Sequence, residues 1–262
     1  MISASSKAIA LGAAFTISLS ACSTLPRIAA PLEMDRAAET ALRAMSDRLA
    51  SSKTVRFSAE NTYDPALADH LGVPPSADVE ISVGRPDRIH VRVAAPGSSR
   101  EIFVDGKTLT IHDLTENLYA VGAIGKPDID KALDAVSRYY GFTPPLADFV
   151  VADPFSSMTR NSRTGRFVGK DTVRGVPCNR LAFTGARLDW ELWIGERDDL
   201  PRRYIVTATR VEGKPRFTAE FTNWSLGAAI PSTRFTFTPP AGAEEIPMLG
   251  ASGSPAPARS RN

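Results

Sequence analysis

The strongest constraint on the fold is a period-two alternation of apolar and polar residues that begins after Lys53 and is divided by turn signals. Residues 79–94 contain two such stretches joined by Gly-Arg-Pro-Asp, and residues 100–113 contain two more joined by Asp-Gly. Asp-Gly between alternating stretches is the strongest short-range signal for a β-hairpin. Because strands joined by short turns run antiparallel, the sequence predicts an antiparallel meander.

Further strands are expected on both sides of these hairpins, because the same alternation returns between later turn signals. We therefore predict a mainly β fold with helices (α+β). It is built on a strongly curved antiparallel sheet of about 10–11 strands. The other predicted strands cover residues 54–64, 116–124, 166–173, 176–183, 188–194, 202–211, 216–226 and 232–240.

Helical patterns interrupt the strands in three places. In residues 33–51 apolar side chains recur every three or four positions, which predicts an amphipathic helix with one stripe on the core. Residues 127–140 show the same spacing and are followed by a glycine, which commonly ends helices. Residues 143–154 contain three prolines and predict a short helix or turn. A curved sheet exposes an apolar concave face, so we expect these helices to cover it as a lid.

The N-terminus predicts export and lipidation. Residues 8–21 carry no charge and are too few to span a bilayer, which needs about 20 residues as a helix. The run has the proportions of a secretory signal, and Leu19-Ser20-Ala21-Cys22 resembles the bacterial lipobox. In that resemblance Cys22 receives a diacylglycerol thioether, the chain is cut before Cys22, and the new amino group is acylated. A plain secretory signal with an accidental cysteine is the alternative.

Serine follows Cys22, where aspartate marks inner-membrane retention in enteric bacteria, so the resemblance implies an anchor in the outer membrane, facing the periplasm. Two or three acyl chains hold a protein stably on a membrane, whereas one is marginal. No later stretch approaches about 18 consecutive apolar residues, so this lipid is the expected membrane attachment. The predicted division is a signal peptide at 1–21, a lipidated tether at 22–32, one folded domain at 33–249 and a disordered tail at 250–262.

The charge balance argues against a nucleic-acid partner. Lys and Arg total 31 and Asp and Glu total 29, with no clustered basic excess. No metal or other cofactor is expected, because the three histidines are scattered and no CxxC spacing occurs. Cys178 has no partner in the chain once Cys22 is acylated. We expect a buried strand thiol there, and an intermolecular disulfide is the alternative.

Four segments of the C-terminal half resemble a known family. GVPCNRLAF at 175–183, LDWELWI at 188–194, LPRRYIVT at 200–207 and FTFTPPAGAEEIP at 235–247 look, in order and spacing, like a family of predicted periplasmic proteins. The fold of that family is similar to the lipoprotein-localisation carriers LolA and LolB. The resemblance covers residues 34–247 and implies an unclosed β-barrel with a helical lid around an apolar cavity that accepts acyl chains.

The strand at 188–194 supplies the candidate ligand-binding residues. Trp190, Leu192 and Ile194 alternate onto one face, where we expect them in the core or in the wall of a cavity. Trp193 lies on the other face and could cover a sheet edge or meet the membrane interface. Arg202 follows an acidic turn, and we expect a structural ion pair with one of the nearby carboxylates of Asp189, Asp198 or Asp199.

The sequence contains no motif that indicates catalysis. GxSxG, HExxH and the phosphate-binding GxxxxGK[ST] are absent. His112 stands beside Asp113, but no serine is marked as a nucleophile, and a solvent-exposed histidine at a strand end is the expected structure. Asp189 and Glu191 share a strand face without a spacing diagnostic of acid–base chemistry. We therefore predict a protein that is not an enzyme.

Two functions follow from these features. The first is a lipid-anchored envelope protein that binds an acyl chain, a lipid or the lipid moiety of a lipoprotein in a cavity under the lid. The second is an envelope scaffold or sensor with a filled core, whose outer surface contacts another protein. Sequence periodicity does not distinguish a cavity from a filled core, so the space beneath the lid separates the two hypotheses.

Overall fold

The computed structural model describes residues 32–125, 128–140 and 146–248. Their strands form one sheet of thirteen. In chain order the strands are β1 (Glu33–Met34), β2 (Thr54–Tyr63), β3 (Ser76–Gly84), β4 (Arg88–Ala95), β5 (Ser98–Asp105), β6 (Thr108–Asp113), β7 (Leu118–Ala123), β8 (Ser162–Val173), β9 (Val176–Gly185), β10 (Leu188–Gly195), β11 (Pro201–Ala208), β12 (Arg216–Leu226) and β13 (Glu244–Glu245).

The sheet joins two antiparallel meanders, β2–β7 and β8–β12. They meet where β12 pairs with β2, so that Phe221 lies opposite Ala59. The two-residue strands β1 and β13 add parallel pairs at the outer edges, beside β8 and β7. These two end strands do not pair with each other, so the sheet is curved and unclosed, as predicted. The eleven longer strands, β2–β12, match the predicted number.

Within the described ranges, four α-helices and two 3-10 turns connect the strands. The helices are α1 (Arg36–Ala50), α2 (Pro65–Leu71), α3 (Ile129–Tyr140) and α4 (Pro154–Thr159), and the 3-10 turns are Ala147–Phe149 and Ser232–Phe235.

The first helix begins later than its apolar spacing predicts. Asp35 is its N-cap, because the Oδ1 atom accepts a hydrogen bond of 2.7 Å from the backbone N–H of Ala38. Its other oxygen, Oδ2, accepts from the N–H of Phe167 at 2.8 Å and ties the cap to β8. The residues before Asp35 therefore pair as strand β1 instead of extending the helix.

Helix α2 was not predicted from the sequence. It has a proline at its first position, Pro65, and ends at Gly72, which has a φ of 63°. A proline at the start and a left-handed glycine at the end are typical helix boundaries. Pro65 and Gly72 are therefore the local sequence signals from which α2 could have been predicted.

The core lies between one face of the sheet, here called the inner face, and a lid made of α1, α3, α4 and the 3-10 turn Ala147–Phe149. Helix α1 packs on α4 and over β8 and β10. The amphipathic stripe of α1 is wholly inside, since Ala38, Leu42, Met45 and Leu49 are fully buried. The predicted helical lid is therefore present.

The predicted last strand at 232–240 is wrong. Residues 232–235 form a 3-10 turn, and the segment 227–248, here called the strap, crosses the outer face of the sheet. Four prolines in the strap lack the N–H group that a strand would donate, and Phe235 packs on the backbone of Gly84 instead of extending an edge. After pairing as β13 beside β7, the strap returns to the main core through Ile246 and Met248.

The hairpin of β8 and β9 folds over the outer face near β10. Val173 and Cys178 pack there on Trp193 in a small second core, and the Trp193 indole N–H donates to Asp171 at 2.8 Å. Only 3% of Trp193 is exposed, so it covers neither a sheet edge nor a membrane interface. The hairpin that covers it is held in place by Arg174, which bonds to Glu220 on β12 and to Glu60 on β2.

Candidate functional site

The inner face of the sheet is the candidate site, because it carries the predicted ligand-binding residues. Trp190, Leu192 and Ile194 lie together on this face in the main core, as the alternation predicts, and each is at most 6% exposed. The Trp190 ring stacks on Phe183, and its indole N–H donates to the hydroxyl of Ser162 at 3.1 Å. A ligand would reach these three residues only after a movement of the lid. Their role in ligand binding therefore stays a prediction.

A cluster of aromatic rings fixes the lid over the centre of the sheet. Phe149, in the 3-10 turn of the lid, contacts Tyr204 and Phe221 edge-on, with ring centroids 5.3 and 4.9 Å apart. Phe57 extends the cluster to Phe221 and Trp224. Burial strongly raises the pKa of the Tyr204 hydroxyl, so this group is a neutral phenol under the lid. The side chains at this point form a packed core.

Burial decreases along the inner face of β4 and β5. Ile89 and Val104, near the turn between β3 and β4, are buried, whereas Val91, Val93 and Ile102 are only half-buried. Leu118 on β7 is half-buried too, at the same end of the sheet. We call Val91, Val93, Ile102 and Leu118 the apolar mouth. All four pack against the main core, so the apolar surface continues from the mouth to beneath the lid.

An ion pair borders the apolar mouth. Arg100 lies opposite Val93 on β4 and opposite Asp113 on β6, and its Nε donates to Asp113 Oδ2 at 3.1 Å. Asp113 Oδ1 also accepts from the N–H groups of Thr115 and Glu116 at 3.0 and 3.1 Å. Burial alone would raise the pKa of this carboxyl, but the three hydrogen bonds outweigh burial and lower it. The mouth is thus apolar with a charged rim.

A buried polar atom lies at the same end of the inner face. Asn61 is 4% exposed, and its Oδ1 has no hydrogen-bond partner among the described residues. It occupies the same cross-strand row as Tyr204, with the small Ala219 between them. Buried amide oxygens in proteins almost always accept a hydrogen bond, so this atom is a free acceptor for a ligand hydroxyl or amine.

The residues considered for catalysis do not form a site. His112 and Asp113 point to opposite faces of β6, because they are consecutive residues of a strand. The expected exposure of His112 is wrong: it is 6% exposed, since Phe237 of the strap covers its ring. Glu191 bonds to Arg180, and Asp189 accepts from the N–H of Gly185, so these carboxylates have separate structural partners.

Two structural expectations are confirmed. Arg202 pairs with Asp198, one of the three predicted aspartates. Cys178 is a buried strand thiol with no exposed surface, and burial raises its pKa. No group of three or more His, Cys, Asp or Glu in the described ranges is arranged to hold a metal ion.

Several predictions fall outside the described residues. They are the signal peptide at 1–21, lipidation at Cys22, nearly all of the tether at 22–32 and the tail at 250–262. Among the helices that the structure does describe, none has both the length and the apolar composition needed to cross a membrane.

The apolar mouth and Asn61 were not identified from the sequence. Val91, Val93 and Ile102 appear there only as ordinary strand residues. A local signal was present at Arg100, which alternates with Ile102 and so occupies a position where an apolar residue is expected. Their proximity depends on the register of the six strands β2–β7, which a single sequence does not reveal.

Comparison with solved structures gives distant similarities. MucB of Pseudomonas aeruginosa, in its complex with MucA, is 17% identical, with a TM-score of 0.44, 77% of this chain covered and 61% of that chain. LprF of Mycobacterium bovis is 14% identical, with a TM-score of 0.46 and coverages of 80% and 98%. A LolA superfamily protein of Nitrosomonas europaea is 9% identical, with a TM-score of 0.32 and coverages of 76% and 97%.

The sequence has no significant match among curated proteins. A family described as predicted periplasmic protein (DUF2092) matches residues 38–249, which include every helix and strand from β2 to β13 and most of α1. The predicted resemblance to a periplasmic family is thereby confirmed, and the chain belongs to the DUF2092 family of predicted periplasmic proteins.

Proposed function

We propose that this protein is a lipid-anchored envelope protein that binds an apolar ligand on the inner face of the sheet, beneath the lid, and catalyses no reaction. The ligand is an acyl chain, a lipid or the lipid moiety of a lipoprotein. The observation that carries this proposal is the continuous apolar surface from the half-buried mouth to the buried core. An acyl chain that enters there gains about 0.8 kcal/mol for each buried CH₂ group.

The polar groups at the mouth suit the head of such a ligand. Arg100 keeps part of its guanidinium in solvent, since 41% of the side chain is exposed beside Asp113. Asn61 adds a buried acceptor without a partner in the described structure. Binding sites for small ligands are typically apolar with a few placed polar groups, and this end of the inner face has that composition.

Entry requires part of the lid to move, and moving α3 exposes less apolar surface than moving α1. It covers the sheet through Ile129, Ala132, Ala135 and Val136, whereas α1 buries Leu42, Met45 and Leu49. Lifting two alanines and a valine from the sheet, while Ile129 stays in place, exposes less apolar area than lifting two leucines and a methionine. Hydrogen bonds from Ile129 to Pro86 and from Ala152 to Asp130 fix the first turn of α3, so this end acts as the hinge.

The second candidate is a scaffold or sensor that contacts another envelope protein. It is favoured by the packing of Phe149 and the α1 side chains directly against the sheet, which fills the space over β10–β12. In this hypothesis the lid does not open. Analysis of bound lipid separates the two functions.

The test uses the exported Cys22→Ala form, which lacks the anchor. Lipids extracted from the purified protein are identified by mass spectrometry. We expect an acyl species in near-stoichiometric amount, reduced at least about fivefold by Ile102→Glu in the mouth, because a charge buried among apolar groups is costly. Val168→Glu is the control, since Val168 is 51% exposed on β8. Protein free of acyl species, or equal loading of both variants, would leave the scaffold as the function.

The anchor itself is tested in the native host. The wild-type chain is expected in the outer-membrane fraction, and Cys22→Ser is expected in the soluble periplasmic fraction. The reason is that acyl chains at Cys22 supply the attachment. Recovery of Cys22→Ser with the membrane would refute lipidation as the means of attachment.

A further inference from the structure

A cavity lies on the outer face of the sheet, beneath the strap and away from the apolar mouth. Its volume is about 670 Å³, within the roughly 300–1,000 Å³ range of small-molecule sites. We call it the outer pocket. The sheet supplies its floor, and strap residues 230–240 supply one wall.

The floor of the outer pocket is aromatic. His90 and His112 are 3% and 6% exposed, and each ring contacts a phenylalanine, with centroids 4.7 Å apart for His90 and Phe103 and 5.3 Å for His112 and Phe237. Phe237 also lies 5.5 Å from Phe103, so the strap adds a ring that closes the cluster. A flat, apolar group would stack well on such a surface.

The rim of the outer pocket carries two guanidinium groups, Arg56 on β2 and Arg234 on the strap. Both are exposed, and neither forms an ion pair with a carboxylate in the part of the chain that the structure describes. Arg56 lies in the same cross-strand row as His90, with the small Ser82 between them. Arg234 is close enough to His90 to act on its charge.

The charged residues that line the outer pocket determine whether it attracts an anion or a cation. Glu101 is the one carboxylate in the lining, and it lies 3.5 Å from His90 Nε2. Burial lowers the pKa of His90, although Glu101 opposes that effect, so His90 is counted as neutral at pH 7. Two arginines against one glutamate give the lining a net positive charge, which attracts an anion such as a carboxylate.

We propose that the outer pocket binds a small monocarboxylate with a flat apolar body. The carboxylate lies between Arg56 and Arg234, and the body stacks on Phe103 and Phe237. Guanidinium groups bind carboxylates through paired hydrogen bonds, and the hydroxyls of Thr233 and Thr238 in the wall offer further donors. This site is independent of acyl-chain binding on the inner face.

The experiment follows the histidine rings by NMR in the Cys22→Ala form. The chain has three histidines, and His70, exposed on α2 and outside the outer pocket, serves as an internal reference. Sodium benzoate is the probe, and uncharged benzamide is its matched control. We expect benzoate to shift the ring signals of His90 and His112 with one common Kd below about 1 mM, with no change at His70.

Variants at the rim test the arginines. Arg56→Gln and Arg234→Gln are each expected to weaken benzoate at least about fivefold, whereas Arg163→Gln, at an exposed position on β8, leaves its affinity unchanged. Unfolding in urea confirms that the exposed substitutions leave the fold intact. Absence of saturable shifts up to about 10 mM benzoate, equal binding of benzamide, or equal losses in all three variants would overturn the proposal.

Discussion

The ring of Phe183 on β9 stacks on the indole of Trp190 on β10, with centroids 3.8 Å apart and planes inclined by 6°. The two residues are direct cross-strand neighbours on the inner face. Such pairs add to sheet stability beyond their buried area, so this stack fixes the inner wall under α1. The position of the Phe183 ring also explains why residue 165 in the neighbouring strand β8 is a glycine.

Gly165 on β8 leaves room for Phe183. A Cβ atom at Gly165 would lie 2.4 Å from Cε1 of that ring and 2.9 Å from Cγ of Met34. We expect Gly165→Ala to lower the free energy of unfolding by about 1–3 kcal/mol, because a close-packed core has no space for the methyl group. Urea denaturation measures this. The control is Arg166→Ala, at an exposed position, for which we expect a loss of unfolding free energy below about 0.5 kcal/mol. An equally small loss for Gly165→Ala would contradict the observed packing.

Phe149 is expected to be the main attachment of the lid to the centre of the sheet. It is fully buried against Tyr204 and Phe221, so Phe149→Ala should cost about 3–5 kcal/mol of unfolding free energy. Phe155→Ala is the matched control. Phe155 is half-buried on α4 beneath Arg43, and we expect a smaller loss of about 1 kcal/mol. Equal losses in urea denaturation would show that the lid is not fixed at Phe149.

Asp113 should stabilise the fold only while it is ionised. Its pKa is lowered in the folded protein, so its contribution is complete above the ordinary value of about 3.9 and is lost as the pH falls through the lower folded value. We expect Asp113→Asn to reduce the unfolding free energy by about 1–3 kcal/mol at pH 7, with a difference that shrinks below about pH 4. The test is urea denaturation of both proteins between pH 7 and about pH 3. A difference in unfolding free energy that does not change with pH would be inconsistent with an ionised Asp113.

Cys178 should be unreactive in the folded protein. It has no exposed surface, and burial raises its pKa, so little thiolate is available to a reagent. In the Cys22→Ala form we expect no labelling by iodoacetamide at pH 8 over the time in which the urea-unfolded chain is fully labelled. Rapid labelling of the folded protein, or a disulfide-linked dimer on a non-reducing gel, would contradict this.

The sequence was sufficient to predict the sheet where the signals are local. The hairpins β3–β4 and β5–β6 follow from alternation and short turns, and the inward direction of Trp190 follows from the same period. Residues 232–240 have the same alternation, yet they form the strap. Prolines and the packing of Phe235 on Gly84 decide this, and that packing joins residues far apart in the chain.

The apolar mouth and the outer pocket depend more strongly than the hairpins on contacts between residues that are far apart in the chain. Arg100 and Asp113 come together through the β5–β6 register, and their exposure depends on where the lid ends. The buried position of His112 depends on Phe237, a strap residue. Alternation assigns a residue to one face of a strand, but it does not indicate which of two segments will cover that face.

In the proposed function, an apolar ligand enters through the apolar mouth on the inner face. The most direct measurement is a fluorescence titration of the Cys22→Ala form with cis-parinaric acid, beside Ile102→Glu in the mouth and Val168→Glu on the exposed surface of β8. We predict saturable binding with a Kd of about 1 µM, at least about tenfold weaker for Ile102→Glu and unchanged for Val168→Glu. No saturable binding, or the same affinity in all three proteins, would contradict the claim.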